Sequence, residues 1–205
     1  MREPRVTRIL SIILVVTCSA AAQVPRQGGS PPDVPPEFRF LYEGGIKNLQ
    51  AAWAALPYDS ITLERSNCML PCPAYKVTLH RGSLTGQRRE TYEDRFGLAE
   101  LHAMVPARSW DNYARLFPEK SGDFTGRVDI WNYARLCYLL STSHFSNMSD
   151  RYAANWTDDR TVVVTATANG KTKVVSEYGG VGPSELWGIQ QAIDSIAQRL
   201  VWTPN

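Results

Sequence analysis

The sequence predicts an α+β domain: a mainly antiparallel sheet with helices on one face, ending in a hairpin and a terminal helix. Three observations predict it. Residues 161–178, TVVVTATANGKTKVVSEY, form two strand-like runs around Asn169-Gly170, a pair suited to a two-residue turn in which both residues take positive φ. The strand-like runs are joined by short links, which favours antiparallel neighbours. After Gly182-Pro183, the residues Leu186, Ile189, Ile193, Ile196 and Leu200 recur at helical spacing and make one apolar stripe.

The chain opens with a secretory pattern. Arg2, Arg5 and Arg8 precede the apolar run Ile9 to Val16, and Ala20-Ala21-Ala22 supplies the small residues of a cleavage site after Ala22. The run is too short for a bilayer span, which takes ~20 residues, and no later run comes close. Residues 1–22 are therefore read as a signal peptide. Cys18, after Val15-Val16-Thr17, gives a second reading of the same segment, a lipoprotein with its anchor on that cysteine. The expected location is periplasmic or extracellular, or membrane-anchored through a lipidated Cys18.

Losing the leader changes the charge. Of 22 basic and 20 acidic side chains it takes three Arg and one Glu, leaving 19 of each. A neutral mature chain has no long-range pull on nucleic acid. Residues 23–37, with five prolines and two glycines, read as a tether without core-forming residues. Residues 38–205 are long enough for a single α+β domain with its own core.

Within that domain, Ile46, Leu49, Trp53 and Leu56 predict a first helix, ended by Pro57. Ile61 to Arg65 and Tyr75 to His80 alternate as strands, the second with Tyr75, Val77 and Leu79 on one face. A third strand is expected over Glu90 to Phe96. Residues 97–127 have a weak pattern and read as an insertion. NYARL at 112–116 recurs at 132–136, a local coincidence rather than a repeat because the flanks differ, and both copies read as amphipathic helix. Asp129 is placed to cap a helix with the stripe Ile130, Tyr133, Ala134, Cys137 and Leu140, making Cys137 a buried hydrophobe. Ser184 is expected to cap the last helix, and Trp202 to pack back on the core.

SNCMLPCPAY, Ser66 to Tyr75, places two cysteines four residues apart between two strands. The element Cys68-x3-Cys72-Pro73-x-Tyr75 resembles that of an uncharacterised bacterial family of exported domains, domain of unknown function 6438. The similarity continues through FSNMSDRYAANWTDD with Asp158, then Gly182-Pro183 and Trp202, and covers Ile61 to Trp202. The chain departs from the family at Met69-Leu70-Pro71, where a Gly is usual, and at Asp159-Arg160, where a Pro is frequent. The resemblance implies a fold and an address, and it supplies no activity.

The chemistry of the cysteines stays open at this level. Export to an oxidising compartment favours a Cys68–Cys72 disulfide, worth ~2 kcal/mol for so small a loop. A redox-active pair and a bond from either cysteine to Cys137 are the alternatives. Thioredoxin-type pairs have a two-residue spacer at a helix N-terminus, whereas here the spacer is three and a strand follows. Zinc needs two close ligand pairs; His80, His102 and His144 are scattered singly, so no metal and no cofactor are expected. The sequence has no Gly-x-Ser-x-Gly, His-Glu-x-x-His or phosphate loop, and Glu90, Glu93 and Asp94 read as solvated. Six Trp and nine Tyr are many for this length. Trp110, Trp131, Trp156 and Trp187 are the candidate anchors for a cell-envelope protein or glycan, with packing in the core as the plainer role. The sum is a non-catalytic binding or structural module of unknown partner; the alternative is a thiol–disulfide active periplasmic protein using Cys68 and Cys72.

Overall fold

The computed structural model describes residues 34–42, 45–68, 72–83, 91–106 and 117–205. The leader expected over residues 1–22, with Cys18, the tether before Val34, Trp110 and the first NYARL copy lie outside them.

Eight strands among these residues form one sheet: β1 (Ser60–Arg65), β2 (Ala74–His80), β3 (Phe96–Val105), β4 (Gly122–Asp129), β5 (Arg151–Ala153), β6 (Thr161–Ala168), β7 (Lys171–Tyr178) and β8 (Thr203–Pro204). Their order is β5-β7-β6-β1-β2-β3-β4-β8. Every neighbouring pair is antiparallel except β5 with β7. Helices α1 (Leu49–Ala55), α2 (Ile130–Thr142) and α3 (Ser184–Ala197) complete the α+β architecture.

Alternation decides which face is covered. Ile61 and Leu63 are buried while Thr62 and Glu64 are not, and the same two-residue period runs through β2, β3 and β6. The register aligns one apolar row across seven strands: Val175, Val164, Leu63, Val77, Leu101, Phe124 and Pro204. It is buried from Val175 to Leu101 and opens at Phe124. The buried stripes of α2 and α3 complete the same core with Trp53 of α1.

The hairpin forms as the sequence predicts, with Asn169 at φ 50° and Gly170 at φ 72°. Asp129 caps α2, its carboxylate accepting from the Trp131 and Asn132 amides at 3.0 Å. Cys137 is fully buried and unpaired with any other cysteine.

Four expectations are corrected. Helix α1 is shorter than the apolar spacing suggests and starts at Leu49, because Asn48 accepts from the Ala51 amide at 2.7 Å and sets its beginning. Glu93–Arg95 is a 3-10 turn, and the third strand starts only at Phe96. Its inward residues Gly97, Ala99, Leu101 and Ala103 are mostly small, which hid the pattern, and residues 97–127 supply most of two paired strands. Pro183, not Ser184, sits at the N-cap of α3; the Ser184 hydroxyl bonds to Glu185 instead. The end of the tether belongs to the domain: Val34 is buried, and the 3-10 turn Pro36–Leu41 buries Phe38 edge-on to Tyr138 at 5.3 Å.

Candidate functional site at the cysteine corner

The two cysteines close the loop between β1 and β2. Cys68 and Cys72 are joined by a disulfide, with Cα atoms 5.5 Å apart. The last rung of the β1–β2 ladder before that loop is Arg65 opposite Tyr75. Each stands three residues from a bonded sulfur, and Pro73 is buried between Cys72 and the strand.

Arg65 and Tyr75 point inward, where an arginine at a strand end is unusual. The same sheet row carries Glu177, Val162, Arg65, Tyr75 and Ala103. Helix α3 lays Gln190 and Asp194 over this row, one turn apart and so on one helix face. Asp194 accepts from Arg65 Nη2 at 2.5 Å and Nε at 3.1 Å, and from the Tyr75 hydroxyl at 2.6 Å. Gln190 donates to Glu177 at 2.5 Å, and the other Glu177 oxygen accepts the Gly182 amide at 2.8 Å. The result is a polar seam between an apolar helix and an apolar sheet, and it fixes the register of α3 on the strands.

Burial acts on both the Tyr75 hydroxyl and the Arg65 guanidinium. It pushes the Tyr75 hydroxyl far above its ordinary value, and the Asp194 charge adds to that. Burial alone would weaken Arg65's hold on its proton, but the Asp194 carboxylate outweighs it and the net shift is upward. Arg65 and Asp194 form a tight, nearly dry ion pair; their side chains are 4% and 12% exposed. Among the described residues no buried side-chain nitrogen or oxygen lacks a hydrogen-bond partner. Away from the seam, burial also raises the Cys137 thiol, leaving it a poor nucleophile at neutral pH.

The Tyr75 ring continues the corner outward. Phe117 packs edge-on against it at 5.2 Å, and Trp202 lies 6.4 Å beyond Phe117. Phe117, Phe124, Leu101, Leu200, Trp202 and Pro204 line a groove of about 640 Å³, with Glu119, Lys120 and Gln198 at its rim. Its size lies in the range of small-ligand sites. Sequence reading placed Trp202 against the core but missed Arg65, Asp194 and Phe117. The signal for two of them was present: a charged residue on the inward phase of a strand, and an acid inside an otherwise apolar helical stripe.

The remaining sequence candidates lie elsewhere. Asp158 is exposed, at φ 72°, in the loop before β6, and accepts from the Thr157 hydroxyl at 3.1 Å. Asp159 bonds the Arg160 amide at 2.7 Å as a turn residue. His80 and His102 are on the open face of the sheet, facing Glu100 at 2.7 Å and Asp123 at 2.5 Å. Glu93 pairs with Arg127, whose guanidinium lies over Phe96. Asp94, expected to be solvated, is instead buried, its carboxylate accepting from the Thr91 amide at 2.6 Å and hydroxyl at 2.8 Å, and Glu90 lies outside the described residues. Of the tryptophans, Trp131 is half-buried against Phe40, whereas Trp156 is 51% and Trp187 61% exposed. No group of three or more His, Cys, Asp or Glu among the described residues converges as metal ligands do. None of the described helices is long and apolar enough to cross a membrane.

The model of one family, described as Domain of unknown function (DUF6438), matches residues 59–197. That span runs from the residue before β1 to the end of α3, and it contains the disulfide, the seam and the hairpin. No curated protein and no solved structure matches the chain.

Proposed function

We propose, for this chain, which belongs to the DUF6438 family, the role of an exported, cell-envelope-associated module that binds or scaffolds and does not turn over substrate. One observation carries the reading. The polar groups at the cysteine corner are spent on one another: Asp194 takes both Arg65 and Tyr75, and all three side chains are buried. Groups held this way specify a structure; a catalytic acid, base or nucleophile must instead reach a substrate. The two sulfurs close a hairpin loop, a position in which a disulfide shapes a corner. The leader read from residues 1–22 supplies the oxidising compartment in which such a bond persists.

Recognition then falls to the surface. Trp156 and Trp187 are large aromatic side chains left in solvent, the residue type that anchors protein and glycan interfaces. Trp156 stands against the Gly179 backbone, where a Cβ would come within 3.0 Å of its indole nitrogen, and that N–H donates to Asp159 at 3.4 Å. The partner class is a cell-envelope protein or glycan.

Two experiments test this. Mass spectrometry of the processed protein expects an N-terminus at Gln23, or a lipid-modified Cys18, in an envelope fraction; an intact leader on a cytoplasmic protein contradicts the address. An insulin-reduction assay with a dithiol expects no acceleration above the uncatalysed rate. Turnover abolished by Cys68→Ser would establish the thiol–disulfide reading in its place.

A further inference from the structure

We propose that the oxidation state of Cys68–Cys72 controls whether the C-terminal strap, residues 201–205, stays docked on the edge of β4. The strap is lightly held as a strand. It pairs with β4 at only two positions, Phe124 with Pro204 and Thr125 with Thr203, and Pro204 has no N–H to give. The Asn205 amide adds one bond to the Asp123 carbonyl at 3.0 Å. What seats the strap is Trp202. Its indole N–H donates to the Ala197 carbonyl at 2.9 Å, and its ring covers Gly126, where a Cβ would come within 3.0 Å. Grooves of about 640 and 580 Å³ flank the strap, with Leu200 common to both.

Two connections run from the disulfide to this strap, and both start at the Arg65–Tyr75 rung. The first is aromatic, Tyr75 to Phe117 to Trp202. The second is the last turn of α3. Asp194 holds Arg65 and Tyr75 by its side chain, and its carbonyl accepts the Gln198 amide at 2.9 Å. Ala197, in that same turn, holds Trp202. The strap itself, docked or released, is the element with two states.

A dithiol reductant supplies two electrons and two protons. The Sγ–Sγ bond breaks, two S–H bonds form, and the dithiol leaves as its own disulfide. The β1–β2 loop then loses its cross-link, the Arg65–Tyr75 rung frays, and Phe117 and Trp202 lose the surface they rest on. With the strap released, the two grooves merge into one trough along Phe124 and Thr125, exposing a strand edge open to pairing. The inference goes beyond the binding reading and holds whatever the module binds.

Hydrogen exchange read by mass spectrometry on the whole processed protein tests it, comparing the oxidised form, the dithiothreitol-reduced form and Cys68→Ser/Cys72→Ser. The amides of Val201, Trp202, Thr203 and Asn205 are expected to exchange at least ~10-fold faster in both opened forms, with β6 and β7 unchanged. Phe117→Ala is expected to release the strap with the disulfide still closed. Faster exchange confined to residues 66–74 overturns the proposal. So does faster exchange across the whole sheet, which would make the disulfide a general staple, and so does a Phe117→Ala strap as protected as wild type.

Discussion

Asp194→Ala tests the polar seam most severely. The carboxylate accepts from two guanidinium nitrogens, Nε and Nη2, and from one hydroxyl. Its removal leaves a guanidinium that is only 4% exposed, with its counter-charge gone. Breaking one side of a buried pair costs about 3–5 kcal/mol, mostly the desolvation of the charge left behind. Tyr75 loses its acceptor as well, so the upper half of that range, about 4–5 kcal/mol, is expected. That is at least about a quarter of a typical domain's stability, which runs from about 5 to 15 kcal/mol. Tyr75→Phe removes one charge-assisted bond and leaves Arg65 paired, so it should cost less, about 1.5–3 kcal/mol. The paired replacement Arg65→Met/Asp194→Leu removes both charges and fills the space. It should recover most of the loss and come within about 1–2 kcal/mol of wild type. Urea unfolding followed by far-UV circular dichroism measures all four proteins, with an unchanged slope showing that the same surface unfolds. The reasoning is refuted if Asp194→Ala costs under 1 kcal/mol, or if the paired replacement is no more stable than Asp194→Ala alone.

Stability should hold up to about pH 9 and fall above it. The Cys137 and Tyr75 values are raised in the folded protein, so the unfolded chain loses those protons first, by up to ~1.4 kcal/mol per pH unit for each group; urea midpoints from pH 8 to 11 would show it, and Cys137→Ala should flatten the earliest part. The Cys137 thiol should resist iodoacetamide in the native protein at pH 7.5 and react in 6 M guanidinium, while Cys137→Ala should cost ~1–2 kcal/mol and leave the disulfide map unchanged. Gly170→Ala should cost ~1–2 kcal/mol although the space is open, because φ 72° is a left-handed conformation; thermal melts at fixed pH would measure it.

Much of the fold could be read from local pattern, and the missed parts share a cause. The hairpin, the Asp129 cap and both amphipathic helices announce themselves within windows of a dozen residues. β3 did not, because its inward positions are Gly97, Ala99, Leu101 and Ala103. Small residues there satisfy packing without raising the hydrophobic contrast on which periodicity depends. Gly97 has a packing reason: a Cβ would come within 2.1 Å of the His80 carbonyl. Val34 was assigned to the tether because its neighbours are prolines, yet it is buried in the core, a long-range outcome that composition does not encode. At the site, Cys68 and Cys72 stand out by spacing, and Tyr75 by the family resemblance. The partner of Tyr75, Asp194, lies 119 residues away, and only the fold brings the two together.

The central claim is that the paired sulfurs are a structural closure at a β corner and take no part in turnover. Intact-mass and peptide mapping of the purified protein, equilibrated in glutathione buffers, tests it most directly. The account predicts a single Cys68–Cys72 bond that stays closed at ordinary glutathione potentials and opens only to a dithiol reductant, with Cys137 the sole free thiol of the folded domain. A protein isolated with both thiols free, with zinc held between them, or with the bond opening readily in those buffers would contradict it.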